Sequence, residues 1–324
     1  MKCIGVLSSG GDGPGFNPCI RAVVRMGISY GMTVMGVHYG YAGLISGEIE
    51  EMTARSVGGI IGRGGTILGT ARSEEFKTER GRRTAMRKLN EHGIEGLIVI
   101  GGDGSFRGAL KLSQEFGFPV VGVPGTIDND ISGTDMCIGV DTALNTVLDA
   151  IDKIRDTASS HQRAFLIEVM GRACGYLALM SGLAGGAEMV LLPEVETSLE
   201  EVAAALRNAY LRGKAHCIVV VAEGYKPGMA AMASYLEERE SDLGFEVRTT
   251  VLGHVQRGGS PTAFERLLAT RLGVAAVDAM RDGQSGVMVG LIGNKITLTP
   301  LDQVLSQPRC VDLSMHQISK ALEK

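Results

Sequence analysis

Short, continuous apolar runs recur along the chain, at 3–7, 33–38, 97–100, 120–123, 164–169, 189–192, 216–222 and 287–291. They do not alternate apolar with polar, so they read as strands covered on both faces, as in parallel sheets. Helical periodicity fills the intervals between them. The clearest case is 141–160, where Leu144, Val147, Leu148, Ile151 and Ile154 fall on one face. Ser198 with Glu201 makes a capping box ahead of Val202, Ala205 and Leu206. Gly31, Gly93, Gly117 and Gly213 stand where helices need a left-handed residue to stop. The order strand, helix, strand, helix predicts an α/β protein with doubly wound, mostly parallel sheets, in two lobes, and a helical tail after about Leu301.

Length and composition change this picture little. At 324 residues the chain accommodates two ordinary domains or one large α/β unit. Hydrophobic residues make up 44% and charged residues 21%, the balance of a globular protein. The net charge of −4 argues against general affinity for nucleic acid or an anionic membrane. Any bound anion must therefore be held by a local arginine cluster. The six cysteines, Cys3, Cys19, Cys137, Cys174, Cys217 and Cys310, are scattered and form no Cys-x-x-Cys pair. They read as reduced core residues of a cytoplasmic protein. No signal peptide and no bilayer-spanning run is expected.

The candidate chemistry lies at strand ends. After the apolar stretch 118–123 comes Pro124-Gly125-Thr126-Ile127-Asp128-Asn129-Asp130, and after 96–100 comes Gly101-Gly102-Asp103-Gly104-Ser105. Carboxylates and glycine-freed backbone at neighbouring strand ends point to a phosphate and metal-ion site. The glycine runs 10–15, 62–65 and 101–104 favour phosphate contact, because backbone N–H groups approach an anion closely there. None fits Gly-x-Gly-x-x-Gly or the Walker pattern, so neither a dinucleotide fingerprint nor a Walker site is expected. Asp103 is the candidate Mg²⁺ ligand, and Ser105 opens a helix whose N-terminus attracts anions. Asp128 is the candidate base and Asp130 its support; their spacing places both on one side of an extended segment. The competing reading for each is a helix cap or Asx-turn. Arg163, Arg172, Arg248 and Arg257, with His254, punctuate other strand ends, as a site for phosphate oxygens requires.

These segments, with Ser9-Gly10-Gly11-Asp12, Pro14-Gly15-x-Asn17, Ser160-His161-Gln162-Arg163, Glu168-Val169-Met170-Gly171-Arg172 and 252–261, together resemble the bacterial ATP-dependent 6-phosphofructokinase family. The motifs cover nearly the whole chain. The resemblance implies phosphoryl transfer from MgATP to the 1-hydroxyl of fructose 6-phosphate. It implies a nucleotide-binding domain of 1–139 plus 256–306 and a sugar-phosphate domain of 140–255 plus 307–324, with the active site in the cleft between them. Asp128 would be the base, with Thr126 and Asp130 supporting the sugar and Asp103 serving Mg²⁺. Gly11, Arg72 and Arg172 would stabilise the moving phosphoryl. Met170, Gly171, Glu223, His254 and Arg257 would hold fructose 6-phosphate, and Arg163 and Arg248 would reach that of a neighbouring subunit in a homotetramer. Tyr41, Arg72, Gly102, Gly104, Ser105 and Gly108 would line the nucleotide site.

The donor is open to argument. Pyrophosphate-using members typically carry Asp and Lys at the positions of Gly104 and Gly125, so glycine at both favours ATP; pyrophosphate or dual use is the alternative. An effector site would use Arg21, Arg25, Arg155, Arg212, Lys214 and His216, but Ala54 and Gly59 depart from it. Ser73, Lys77, Phe16 and Pro18-Cys19 also depart from common family residues. NAD and lipid kinases share Gly-Gly-Asp-Gly but lack Thr-Ile-Asp-Asn-Asp. A catalytically silent, effector-binding paralogue would lack Asp103, Asp128 or Arg172, and all three are present.

Overall fold

The computed structural model describes residues 1–307, 309 and 311–322; Cys310 lies outside the described residues. The strands are β1 (Cys3–Ser8), β2 (Thr33–Val37), β3 (Ile49–Met52), β4 (Gly96–Gly101), β5 (Val120–Pro124), β6 (Arg163–Val169), β7 (Met189–Leu191), β8 (Cys217–Ala222), β9 (Glu246–Val251), β10 (Val287–Ile292) and β11 (Lys295–Pro300). The helices are α1 (Phe16–Ser29), α2 (Gly40–Ser46), α3 (Glu79–Glu91), α4 (Asp103–Phe116), α5 (Val140–His161), α6 (Tyr176–Ala184), α7 (Leu199–Leu211), α8 (Met229–Glu237), α9 (Glu240–Leu243), α10 (Ala263–Arg281), α11 (Leu301–Ser306) and α12 (Leu313–Leu322). All eight expected strands form. Gly31, Gly93, Gly117 and Gly213 take positive φ at helix ends, and the Ser198–Glu201 capping box is closed in both directions.

The chain divides into two compact units. The first comprises Met1–Ile127, Ile131–Thr142 and Arg257–Arg309. Its seven-stranded sheet runs β11-β10-β5-β4-β1-β2-β3. The five inner strands are parallel, and β3 and β11 close the two edges antiparallel. Every residue of β4 and β5 is buried, which explains their unbroken apolar sequences. Helices α1 and α10 pack together, and their apolar faces join the sheet in one core that includes Phe16, Ile20, Leu268 and Leu272.

The second unit comprises Asp128–Asp130, Ala143–Gln256 and Cys310–Lys324. Its sheet, β7-β8-β6-β9, is entirely parallel. One core there gathers Leu166, Val219 and Val221 with Val202 and Leu206 of α7 and Met232 and Leu236 of α8. Helix α12 packs on α6 and β7.

Three strands escape the sequence pattern: β3, β9 and β11. Each is a sheet edge with exposed positions, where charge blunts the free backbone and no second covered face imposes an apolar run. Among the described residues, Cys19, Cys137, Cys174 and Cys217 are buried and Cys3 is partly buried. No helix among the described residues is long and apolar enough to cross a membrane.

Glu265 shows how the first unit is tied together. It lies at the third position of α10, where Thr262 caps the helix by accepting from the Glu265 N–H at 3.1 Å. Its own carboxylate turns to another helix start. It accepts from the Gly139 N–H (2.8 Å), the Thr142 N–H (3.2 Å) and the Thr142 hydroxyl (3.3 Å) at the beginning of α5. Those donors favour the charged form, but full burial outweighs them and pushes the carboxyl up to about 7. A carboxyl raised in the folded state and ordinary in the unfolded state binds more protons when folded. Its contribution to stability is therefore fully present below pH 4.5 and is lost as pH rises from there through 7. Between pH 5 and 8 the loss is roughly 2–3 kcal/mol. Glu265→Gln keeps an acceptor without the charge. Its unfolding free energy, measured by urea titration and compared with the unaltered chain, should gain by that amount as pH rises from 5 to 8. A difference that stays flat with pH would show that Glu265 does not titrate in this range.

Candidate functional site

In the first unit, three strand ends present backbone and side chains together. The loop after β1 carries Gly11 and Asp12. A Cβ at Gly11 would strike the Arg257 guanidinium, whose Nη1 donates to the Asp12 carbonyl at 3.1 Å. Glycine at 11 leaves room for the arginine to lie on that loop as it does here. The loop after β4 enters α4 directly: the helix starts at Asp103, with Gly102 as its cap, two residues earlier than the sequence reading placed it. Asp103 is exposed, accepts from the Gly104 N–H at 2.6 Å and lies 3.7 Å from Arg107. Nothing stands within 4 Å of where a Cβ on Gly104 would lie. Thr126 follows β5, its Cβ 3.7 Å from the Cβ position of Gly102.

Next to these loops, Tyr41 is buried in α2 and donates to the Ser105 carbonyl at 2.6 Å. Its ring stacks on Phe76 with centroids 3.9 Å apart and 14° between planes. A Cβ at Gly108 would come within 3.0 Å of both rings. Phe76 is held in turn by Arg82, which donates to the Phe76 and Lys77 carbonyls and pairs with both oxygens of Glu115 at 2.6 and 2.7 Å. The Phe76 platform and its Arg82–Glu115 support were absent from the sequence reading; one apolar residue in a charged loop was the available signal. Arg72 is exposed in the same long connection. The glycines at 62–65 have a different explanation from the expected phosphate contact. Asn17, buried, donates to the Arg63 and Gly64 carbonyls and accepts from Ile67, and a Cβ at Gly64 would collide with the backbone of Gly259.

In the second unit, Asp128 is 2% exposed. Its Oδ2 lies 3.4 Å from Nε of Arg172. The 126–130 stretch is not extended as expected: residues 127–128 form a turn and Asn129 takes φ 53°, so Asp128 and Asp130 do not share one side through strand-like alternation. Arg172 is also left-handed, at φ 51°, after Gly171 at φ 143°. Glu223, past the end of β8, accepts from the Gly171 N–H (3.3 Å) and the Arg172 N–H (2.5 Å). Gln256 accepts from the Met170 N–H at 3.1 Å. Glu168 at the end of β6 is raised by burial and then by the Glu223 charge. His254 is exposed on a short 3-10 turn, Gly253–Arg257. Arg163 and Arg248 meet through Glu246, which bonds Arg163 at 2.5 Å and also pairs with Arg248; β6 and β9 place Arg163 opposite Glu246.

The residues expected at an effector site fall into both units. Arg21 and Arg25 lie one turn apart on α1, where Arg25 donates to the Ala54 carbonyl. In the second unit, Arg155 donates to the Gly185 carbonyl, Lys214 pairs with Glu188 at 3.2 Å and His216 meets Ser159 at 2.9 Å. Arg212 caps the end of α7.

The first unit thus presents an exposed carboxylate beside open space and a buried aromatic stack, and the second an arginine-paired buried aspartate; phosphoryl transfer draws on residues of these kinds. The comparisons with known proteins agree. A family model described as phosphofructokinase matches residues 3–280. The chain is 58% identical over 322 residues to the ATP-dependent 6-phosphofructokinase of Natranaerobius thermophilus, and 57% identical to that of Halalkalibacterium halodurans, covering 99% of each chain in both cases. It superposes on the phosphofructokinase of Saccharomyces cerevisiae with a TM-score of 0.87 and 37% identity, covering 100% of this chain and 47% of the yeast chain. The chain spans about half the length of that yeast polypeptide. On this sequence and this fold, the chain belongs to the phosphofructokinase family.

Proposed function

We propose that the chain transfers the terminal phosphoryl group of ATP to the 1-hydroxyl of fructose 6-phosphate, giving fructose 1,6-bisphosphate and ADP in glycolysis. The observation that carries the chemistry is the buried Asp128 paired with Arg172 in a member of this family. Asp128 takes the proton of the sugar 1-hydroxyl as the oxygen attacks phosphorus. Thr126 and Asp130 hold the sugar in place. Arg72, Arg172 and the Gly11 N–H meet the charge on the transferring phosphoryl. The first unit binds the nucleotide, along Gly102, Gly104, Ser105, Gly108 and Tyr41. The second binds fructose 6-phosphate, through Met170, Gly171, Glu223 and His254, and Arg257 is a further ligand of the sugar phosphate.

Mg²⁺ fits the residues present. No group of three or more His, Cys, Asp or Glu side chains gathers for a metal among the described residues. Mg²⁺ with nucleotide phosphates needs only one or two carboxylates, because phosphate and water oxygens complete its shell. Asp103, exposed beside the open space at Gly104, is a hard ligand of that kind. When bound, the ion neutralises phosphate charge. The reading further places Arg163 and Arg248 on the sugar phosphate of a neighbouring subunit in a homotetramer, and the enzyme in the cytoplasm. Arg21, Arg25, Arg155, Arg212, Lys214 and His216 are proposed as effector ligands.

The donor assignment has support at two positions. Gly104 faces open space, whereas a Cβ at Gly125 would lie 2.8 Å from the buried ring of Phe16. Lysine at 125 therefore cannot be added without displacing core packing. Gly104→Asp is the cleaner variant. It should lower kcat/KM for ATP by at least 100-fold through steric and charge exclusion while leaving the thermal midpoint within a few degrees. Retention of ATP use within fivefold would mean the nucleotide does not pass Gly104.

The whole reading is tested by a coupled assay with fructose 6-phosphate, comparing ATP with pyrophosphate. ATP with Mg²⁺ should give much the higher kcat/KM, and a preference for pyrophosphate would overturn the donor. For the base, Asp128→Ala should slow turnover ~10²–10⁴-fold, with KM for fructose 6-phosphate changed far less. If the variant keeps more than half its turnover at saturation, the proton goes elsewhere.

A further inference from the structure

We propose that Gln256 is a positioning residue for the sugar phosphate, an inference that rests on the function proposed above. Its side chain joins the turn that carries His254 to the turn that carries Met170, Gly171 and Arg172. Gln256 is 0% exposed, although it lies on a short 3-10 turn whose neighbours His254 and Val255 are exposed. Its Oε1 accepts from the Met170 N–H at 3.1 Å, and its Nε2 donates to the Gly253 carbonyl at 3.0 Å. The amide is thus oriented by its partners: an N–H requires its oxygen and a carbonyl requires its nitrogen.

The turn it reaches has one backbone bond of its own, the Cys174 N–H donating to the Gly171 carbonyl at 2.9 Å, and its N–H groups at 170–172 are met by side chains. Strand β6 ends at Val169, so Met170, Gly171 and Arg172 lie beyond the ladder. Gly171 and Arg172 both have positive φ, a conformation that persists in a non-glycine residue only when its surroundings over-determine it. Side-chain oxygens take three successive N–H groups of this turn: Gln256 the first, Glu223 the second and third. Glu223 is exposed and assigned to the substrate itself. Gln256 is buried, and its two bonds go to backbone, so its role is to fix where His254 and the Met170 turn stand relative to each other.

An amide is required because the position needs one acceptor and one donor. Leucine supplies neither at similar size. Glutamate supplies the acceptor at once but a donor only when protonated, and burial raises a carboxyl's affinity for its proton. The two substitutions therefore separate positioning from simple packing.

The test measures steady-state kinetics of the unaltered enzyme, Gln256→Leu and Gln256→Glu with fructose 6-phosphate and ATP from pH 6 to 8.5, alongside thermal unfolding. Gln256→Leu should raise KM for fructose 6-phosphate at least tenfold, lower kcat by a smaller factor and leave KM for ATP within twofold. Gln256→Glu should match that defect at pH 8.5 and recover toward the unaltered enzyme at pH 6, relative to that enzyme at each pH. Should the leucine variant fail to fold, the pH-dependent recovery of the glutamate variant decides the matter. A Gln256→Leu enzyme with both KM values within twofold of normal would overturn the inference while leaving the function standing. So would equal rises in both KM values, or a glutamate defect that does not change with pH. If the unaltered enzyme does not phosphorylate fructose 6-phosphate at all, the functional reading fails and this inference goes with it.

Discussion

The pairing of Asp128 with Arg172 is the contact on which the second unit's proposed chemistry depends. A carboxylate 2% exposed is costly unless a cation stands beside it. The cation comes from the turn after β6, and that turn brings its arginine to Asp128 in a left-handed conformation. A parallel sheet offers no ladder beyond its strand ends, so the turn's N–H groups are met by Glu223 and Gln256 instead. Asp128, Arg172, Glu223 and Gln256 are therefore one connected set. Each exists in its geometry because the next is held.

The first unit solves a different problem, that of keeping space open. Its strand-end loops depend on glycine for distinct physical reasons. At 11 the absent side chain admits Arg257, at 108 it admits the Tyr41–Phe76 stack, and at 104 it leaves room that nothing in the unit fills. Gly125, one step past β5, instead makes way for Phe16 from the core. One residue type thus serves both the ligand and the packing. The Arg82–Glu115 pair is the rigid support beneath the aromatic platform. Arg82 bonds the successive Phe76 and Lys77 carbonyls, and guanidinium–carboxylate forks of this kind are geometrically restrictive.

The sequence by itself determined the two parallel sheets and the strand-end loops. Strands buried on both faces must be continuously apolar, and helices with one covered face must show their period. It also determined the family, because Gly101–Ser105, Pro124–Asp130 and 252–261 are contiguous and specific. Edge strands β3, β9 and β11 left no such mark, since one free edge relaxes the demand for apolar residues. Only the tertiary structure decided which residues hold the site. Gln256 and Glu265 act on distant backbone groups that any sequence would carry, and Glu246 and Phe76 on the side chains of Arg163 and Tyr41, tens of positions away. The local geometry of Thr126–Asp130 was likewise beyond the one-dimensional pattern. A left-handed Asn129 breaks the alternation that spacing alone implies; asparagine tolerates that conformation better than most residues, but only the folded chain shows that this one adopts it.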